Sequence, residues 1–125
     1  METGNKHPRG LKHVWHATLT ALAGLRAAWQ HEDAFRQEVL VAAVAIPIAL
    51  LVPAGFAGKA LMIASILLVL IVELLNSAIE AAVDHTSLEQ HPLAKRAKDI
   101  ASAAVLLSIV NAVVVWGLII VPALV

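Results

Sequence analysis

Apolar residues fill three stretches of this chain, and polar residues gather between them. Residues 39–58 carry no charge; residues 60–83 carry only Glu73 and Glu80; residues 100–125 carry none. At about 1.5 Å rise per residue, roughly 20 residues cross the hydrocarbon of a bilayer, so each stretch is predicted to be a transmembrane helix. The motif VPAGFAG (52–58) is rich in Pro and Gly and reads as the turn after the first span, with Lys59 anchoring the next. Pro47 is expected to kink the first span or to be absorbed by local readjustment. Residues 84–99 form a polar connection in which Pro92 suits the first position of a helix. Pro122 ends the apolar pattern of the third span.

The N-terminal segment has a different pattern. Leu11, Val14, Trp15, Leu19, Leu22, Leu25 and Trp29 fall on a helical arc of about 140°, with His13, His16 and Thr20 on the other side. This predicts an amphipathic helix lying at the membrane interface, where Trp is at home. Arg26 falls within the apolar arc. It either snorkels to the headgroups or makes a polar contact with a ligand or another helix. Glu32 and Asp33 come next in a polar break and suit the first turn of a new helix.

One stripe departs from the apolar pattern. Glu73, Asn76, Ser77, Glu80 and Asp84 sit at spacings that place them within an arc of about 100° on the second span. A carboxylate near the centre of a span costs roughly 2.5–3.5 kcal/mol on insertion scales, which argues for a function. The stripe runs from inside the span out to the polar connection at residues 84–99.

Composition narrows the classes. The 125 residues are 60% hydrophobic, 14% charged and 4% aromatic, far from the charged fraction of about 25% in soluble domains. With no Cys there is neither a disulfide scaffold nor a thiolate metal site. Net charge is zero, and there is no Walker A motif, no GxGxxG and no HExxH pair, so nothing points to nucleic acid or to a Gly-rich phosphate loop. Lys6, Arg9 and Lys12 would suit a signal-peptide n-region, but His13, His16, Arg26 and Glu32 break the apolar run such a peptide needs, so the segment is expected to be retained. Lys and Arg number five in residues 1–38, three in residues 84–99 and one in residues 52–59. By the positive-inside rule the N-terminus and the 84–99 connection face the cytoplasm, as does the open end of the stripe.

Carboxylates beside a Lys at a membrane surface match what phosphoryl transfer needs: oxygen ligands for Mg2+, a cation for phosphate charge and a base for the hydroxyl. Glu73, Asn76 and Glu80, with Glu32 and the Lys98-Asp99 pair, supply these types. Bland readings of the same residues stand beside this. Glu73 suits the proton relay of a transporter, and Glu80 and Asp84 suit solvated helix ends. Asn76 suits an interhelical hydrogen bond, and Glu32 a helix first turn. Lys95, Arg96 and Lys98 suit membrane anchors.

At these residues the chain resembles the small bacterial integral-membrane diacylglycerol kinases. The stretches that carry the resemblance are GLRAAW (24–29), Glu32, AFRQE (34–38), IVELLNSAIEAAVD (71–84) and RAKDIASAAVLL (96–107). The resemblance implies an all-α membrane protein: an N-terminal amphipathic interfacial helix plus three transmembrane helices, assembled as a homotrimer in the bacterial inner membrane. It implies transfer of the ATP γ-phosphate to the primary hydroxyl of diacylglycerol. Glu73 then looks like the proton acceptor, and Glu32 and Glu80 look like the ligands of Mg2+. The ATP contacts implied are His13, Thr20, Glu32, Asn76, Glu80, Glu89, Gln90, His91, Lys98 and Asp99. The lipid-side residues implied are Arg26, Ala27, Ala28, Trp29, Ala34, Phe35, Arg36, Gln37, Glu38, Glu73, Ser102 and Trp116. Upstream of Gly24 the chain departs from the family, with His13, His16, Thr20, Leu22 and Ala23 where the family carries basic and aromatic residues. There His13, Arg9 or Lys12 would have to meet the nucleotide. Relatives of this type phosphorylate undecaprenol instead, and GLRAAW, AFRQE and the Ser-Ala-Ala of the third span lean toward diacylglycerol. Outside the kinase class the stripe also fits a proton-coupled transporter subunit or a purely structural membrane protein.

Overall fold

Every regular element in the computed structural model, which describes residues 10–86 and 91–125, is an α-helix. The chain divides into two units, Met1–Glu32 and Asp33–Val125. The first contains α1, Leu11–His31. Gly10 precedes it at φ 66°, a left-handed conformation that glycine adopts without a Cβ clash. The apolar arc of α1 is exposed along its length, from Leu11 through Trp15 and Leu22 to Trp29. The helix closes at Glu32, whose backbone is extended and whose N–H donates to the Ala28 carbonyl at 2.9 Å.

The second unit contains α2 (Asp33–Leu51), α3 (Phe56–Thr86) and α4 (Pro92–Leu124). All three are long and apolar enough to cross a membrane. Their ends differ from the sequence expectation in three places. The turn is shorter than 52–58, because Lys59 N–H already bonds to the Gly55 carbonyl at 3.0 Å and so draws Phe56–Gly58 into α3. The connection is mostly helical, since α3 runs to Thr86 and α4 begins at Pro92. Finally, α4 passes through Pro122 to Leu124: Pro has a helical φ, and the helix gives up only the bond its N–H would make to the Leu118 carbonyl.

The middle helix of the unit is α3, which packs against α2 on one side and α4 on the other. Lipid tails are as apolar as Leu, so helices in a bilayer are held by close packing of small residues and by interhelical polar contacts. The buried positions obey that rule: Ala42 and Ala49 on α2, Met62, Ser65 and Val69 on α3, and Ala101, Ser108 and Ala112 on α4. Ser65 and Ser108 can be buried because each hydroxyl donates to a carbonyl of its own helix, Met62 and Val105, at 2.7 Å. Residues 101–104 are all small, but only Ala101 is buried within this chain; Ser102, Ala103 and Ala104 are exposed.

Three contacts mark the antiparallel register of α3 and α4. At one end Lys98 meets Asp84. Midway, Trp116 Nε1 donates to the Met62 carbonyl at 3.1 Å and to Ser65 Oγ at 3.2 Å. At the far end Gly58 faces Ile119, where a Cβ would stand 3.3 Å from its Cγ2. Between α2 and α3, Lys59 Nζ reaches back across the turn to the Leu50 carbonyl at 2.8 Å, satisfying one of the orphan acceptors at the end of α2.

Candidate functional site

The polar stripe of α3 lies along the face that packs against its neighbours. Glu73 is 4% exposed and Asn76 9%, Glu80 is half-buried, and Asp84 is exposed. The stripe therefore leads from the interior of the helix bundle to its end. Helical spacing alone aligns these side chains. No Gly or Pro interrupts α3 after Gly58, so the alignment is rigid.

Two features at its buried end were not legible in the sequence. First, the half-buried Glu38 carboxyl of α2 lies close to the Glu73 carboxyl. Two ionised carboxylates so placed repel one another unless a proton or another cation stands between them. Second, Glu38 Oε1, Asn76 Oδ1 and Ser77 Oγ are buried and without a hydrogen-bond partner. Buried polar atoms are nearly always paired, so these three stand out along the polar seam as atoms open to water or to a polar ligand. Beside this seam runs a groove of about 550 Å³ lined by all three helices, with Glu38 and Trp116 among apolar residues such as Val41, Ile66, Leu70 and Val113. Glu38 is level with Glu73 and Trp116 with Ser65, so the two polar groups stand about 12 Å apart along the helices.

A second group of charges occupies the exposed end. Lys98 Nζ lies 3.0 Å from Asp84 Oδ1, and Glu80 is close enough to act on the same ammonium. Asp99 accepts from Lys95 at 2.7 Å, an i,i+4 pair. His91 caps α4, its Nδ1 accepting from Leu93 N–H at 3.1 Å, an unusual residue for that role, and Pro92 occupies the first helical position.

The structure thus brings Glu38, Glu73 and Asn76 into one seam and Glu80, Lys98 and Asp99 toward its open end. Phe35 is buried, Arg36 pairs with Asp33, and Ala34 and Gln37 are exposed. Trp116 is half-buried with its indole N–H committed to α3, and Ser102 is exposed on α4. His13, Thr20, Arg26, Ala27, Ala28 and Trp29 lie on α1, where Ala28 is buried; Glu32 caps that helix and is half-buried. Glu89 and Gln90 lie outside the described residues. Among the described residues no three His, Cys, Asp or Glu side chains form a metal cage.

Three apolar helices with carboxylates running from their packed interior to one end define a small polytopic membrane protein with an ionisable site inside its bundle. Sequence comparison gives that class its family. The prokaryotic diacylglycerol kinase family model matches residues 19–120. A diacylglycerol kinase of Pseudomonas aeruginosa is 53% identical over 112 residues, 90% of this chain and 91% of that protein. One of Escherichia coli is 52% identical over 93 residues, 74% of this chain and 76% of that protein. One of Helicobacter pylori is 43% identical over 109 residues, 87% and 85% of the two chains. The chain belongs to the prokaryotic diacylglycerol kinase family.

Proposed function

We propose that this protein transfers the γ-phosphate of ATP to the primary hydroxyl of diacylglycerol, giving phosphatidate, at the inner membrane of a bacterium. The observation that carries this reading is the pair of buried Glu73 and half-buried Glu38, which opens on one side to an apolar groove and along α3 to a charged end. A lipid chain suits the groove, which places a headgroup hydroxyl beside the carboxyls. Glu73 takes the hydroxyl proton as the oxygen attacks the γ-phosphorus; the bond to the β-phosphate oxygen breaks and ADP leaves. Glu38 orients Glu73, and the Asn76 carbonyl oxygen and Ser77 hydroxyl are open to the reacting groups.

At the open end Lys98 meets phosphate charge. Asp99, His91, Glu89 and Gln90, with His13 and Thr20 of α1, are assigned to the remainder of the nucleotide. Mg2+ fits this donor set: it takes oxygen ligands, needs only one or two carboxylates alongside substrate phosphates and waters, and finds Glu80 half-buried on the stripe. Glu32 and Glu80 are the carboxylates assigned to it, and it supplies neutralisation of phosphate charge. Arg26, Ala27, Ala28, Trp29, Ala34, Phe35, Arg36, Gln37, Ser102 and Trp116 are assigned to the lipid side. The exposed apolar arc of α1, with Trp15 and Trp29, supports an interfacial position for that helix. The long exposed apolar faces of α4 leave room for neighbouring subunits, and we assign the working form to a homotrimer whose sites lie between subunits. The Lys and Arg distribution supports a cytoplasmic N-terminus.

The test is a mixed-micelle assay with ATP and Mg2+ that offers diacylglycerol and undecaprenol side by side. Phosphatidate as the main product supports the proposal. Phosphate on undecaprenol moves the acceptor, and solute or proton flux in proteoliposomes without any phospholipid product overturns the kinase reading.

A further inference from the structure

Lys98 and Asp84 are fourteen residues apart and stand on different helices, yet Nζ and Oδ1 lie 3.0 Å apart. Both side chains are substantially exposed, at 40% and 62%. An exposed ion pair contributes little stability, because solvent screens it and a long side chain loses rotamer freedom. A structural role is therefore a poor account of this one. Its placement is more informative. Asp84 and Glu80 are one turn apart on the stripe, and the Lys98 ammonium, bonded to Asp84, also feels the charge of Glu80. Lys95, the other nearby cation of α4, is held by Asp99 and does not compete for Asp84.

We propose that Asp84 is a positioning residue for the nucleotide: its carboxylate holds the Lys98 ammonium beside Glu80, so that the cation of α4 and the carboxylate of α3 meet the phosphates already arranged. The proposal rests on the assignment of Lys98 to phosphate charge. An ammonium has three donors, and one spent on Asp84 leaves two for phosphate oxygens. Left alone, a four-carbon side chain would sample many rotamers, and ordering it would fall to the bound nucleotide. Asp84 also carries a negative charge that opposes ATP. At this exposure screening weakens that repulsion, and the ordering of Lys98 outweighs it.

The test measures KM for ATP, KM for diacylglycerol and kcat in Asp84→Asn, Asp84→Glu, Lys98→Met and the Asp84→Asn/Lys98→Met double variant. Asp84→Asn is expected to raise KM for ATP by about three- to fivefold, more than it lowers kcat and without moving KM for diacylglycerol. Asp84→Glu recovers most of the loss. In the Lys98→Met background Asp84→Asn adds nothing, because Asp84 acts through Lys98. An unchanged or lower KM for ATP in Asp84→Asn, or an undiminished effect in the Lys98→Met background, overturns the positioning role and leaves the assignment of Lys98 standing. An unchanged KM for ATP in Lys98→Met overturns that assignment and the positioning role with it.

Discussion

Glu73 is a carboxylate 4% exposed on a predominantly apolar stretch of α3. A carboxylate in a run of Leu, Ile and Val is costly enough to be noticed without a structure, and its 4% exposure shows that the cost is real. Its partner was not legible. Glu38 sits in a polar segment where nothing local distinguishes it from Gln37, and only the pairing of α2 with α3 turns it toward Glu73. The same holds for Lys98 and Asp84, whose meeting depends on helix register. The Lys95–Asp99 pair, by contrast, arises from i,i+4 spacing alone. At this scale the metal assignment makes a prediction. Glu80→Ala and Glu32→Ala should each raise the Mg2+ concentration for half-maximal activity by about tenfold or more, as loss of metal-site groups commonly does. Unchanged Mg2+ titrations would remove the residue concerned from the ligand set.

Helix type and number were legible from hydropathy and periodicity, because three long uncharged stretches leave few alternatives. Helix ends were less so. Gly and Pro overstated the length of the first turn, and Pro122 looked like a stop although its φ is helical and α4 runs on to Leu124. Small residues permit helices to approach, but only the rotation of α4 decides that Ala101, Ser108 and Ala112 are the ones buried within the chain. The polar contact that ties α4 to α3 comes from Trp116, whose indole N–H meets the Met62 carbonyl and Ser65 Oγ. Trp116→Phe keeps much of the ring and removes that donor. It should lower the unfolding free energy in detergent by about 0.6 kcal/mol, and by no more than about 1.7, the range for interhelical hydrogen bonds in membranes. A variant as stable as the parent would show that packing alone holds the register.

At the scale of the whole molecule the candidate site is laid out along the length of α3. The apolar groove, the Glu38–Glu73 seam and the charged end follow one another along α3, and the proposed function assigns them in that order to the lipid chain, its headgroup and phosphate. Family membership is fixed by the match over residues 19–120 and by relatives at 41–53% identity. The division of labour along the stripe is the central claim, and one comparison tests it most directly. Purified wild-type protein and Glu73→Gln are given γ-labelled ATP and diacylglycerol in mixed micelles, with nucleotide binding measured on both. The account predicts labelled phosphatidate from the wild type, at least about a hundredfold less from Glu73→Gln, and nucleotide binding retained in the variant. Phosphatidate formed at the wild-type rate by Glu73→Gln would contradict it.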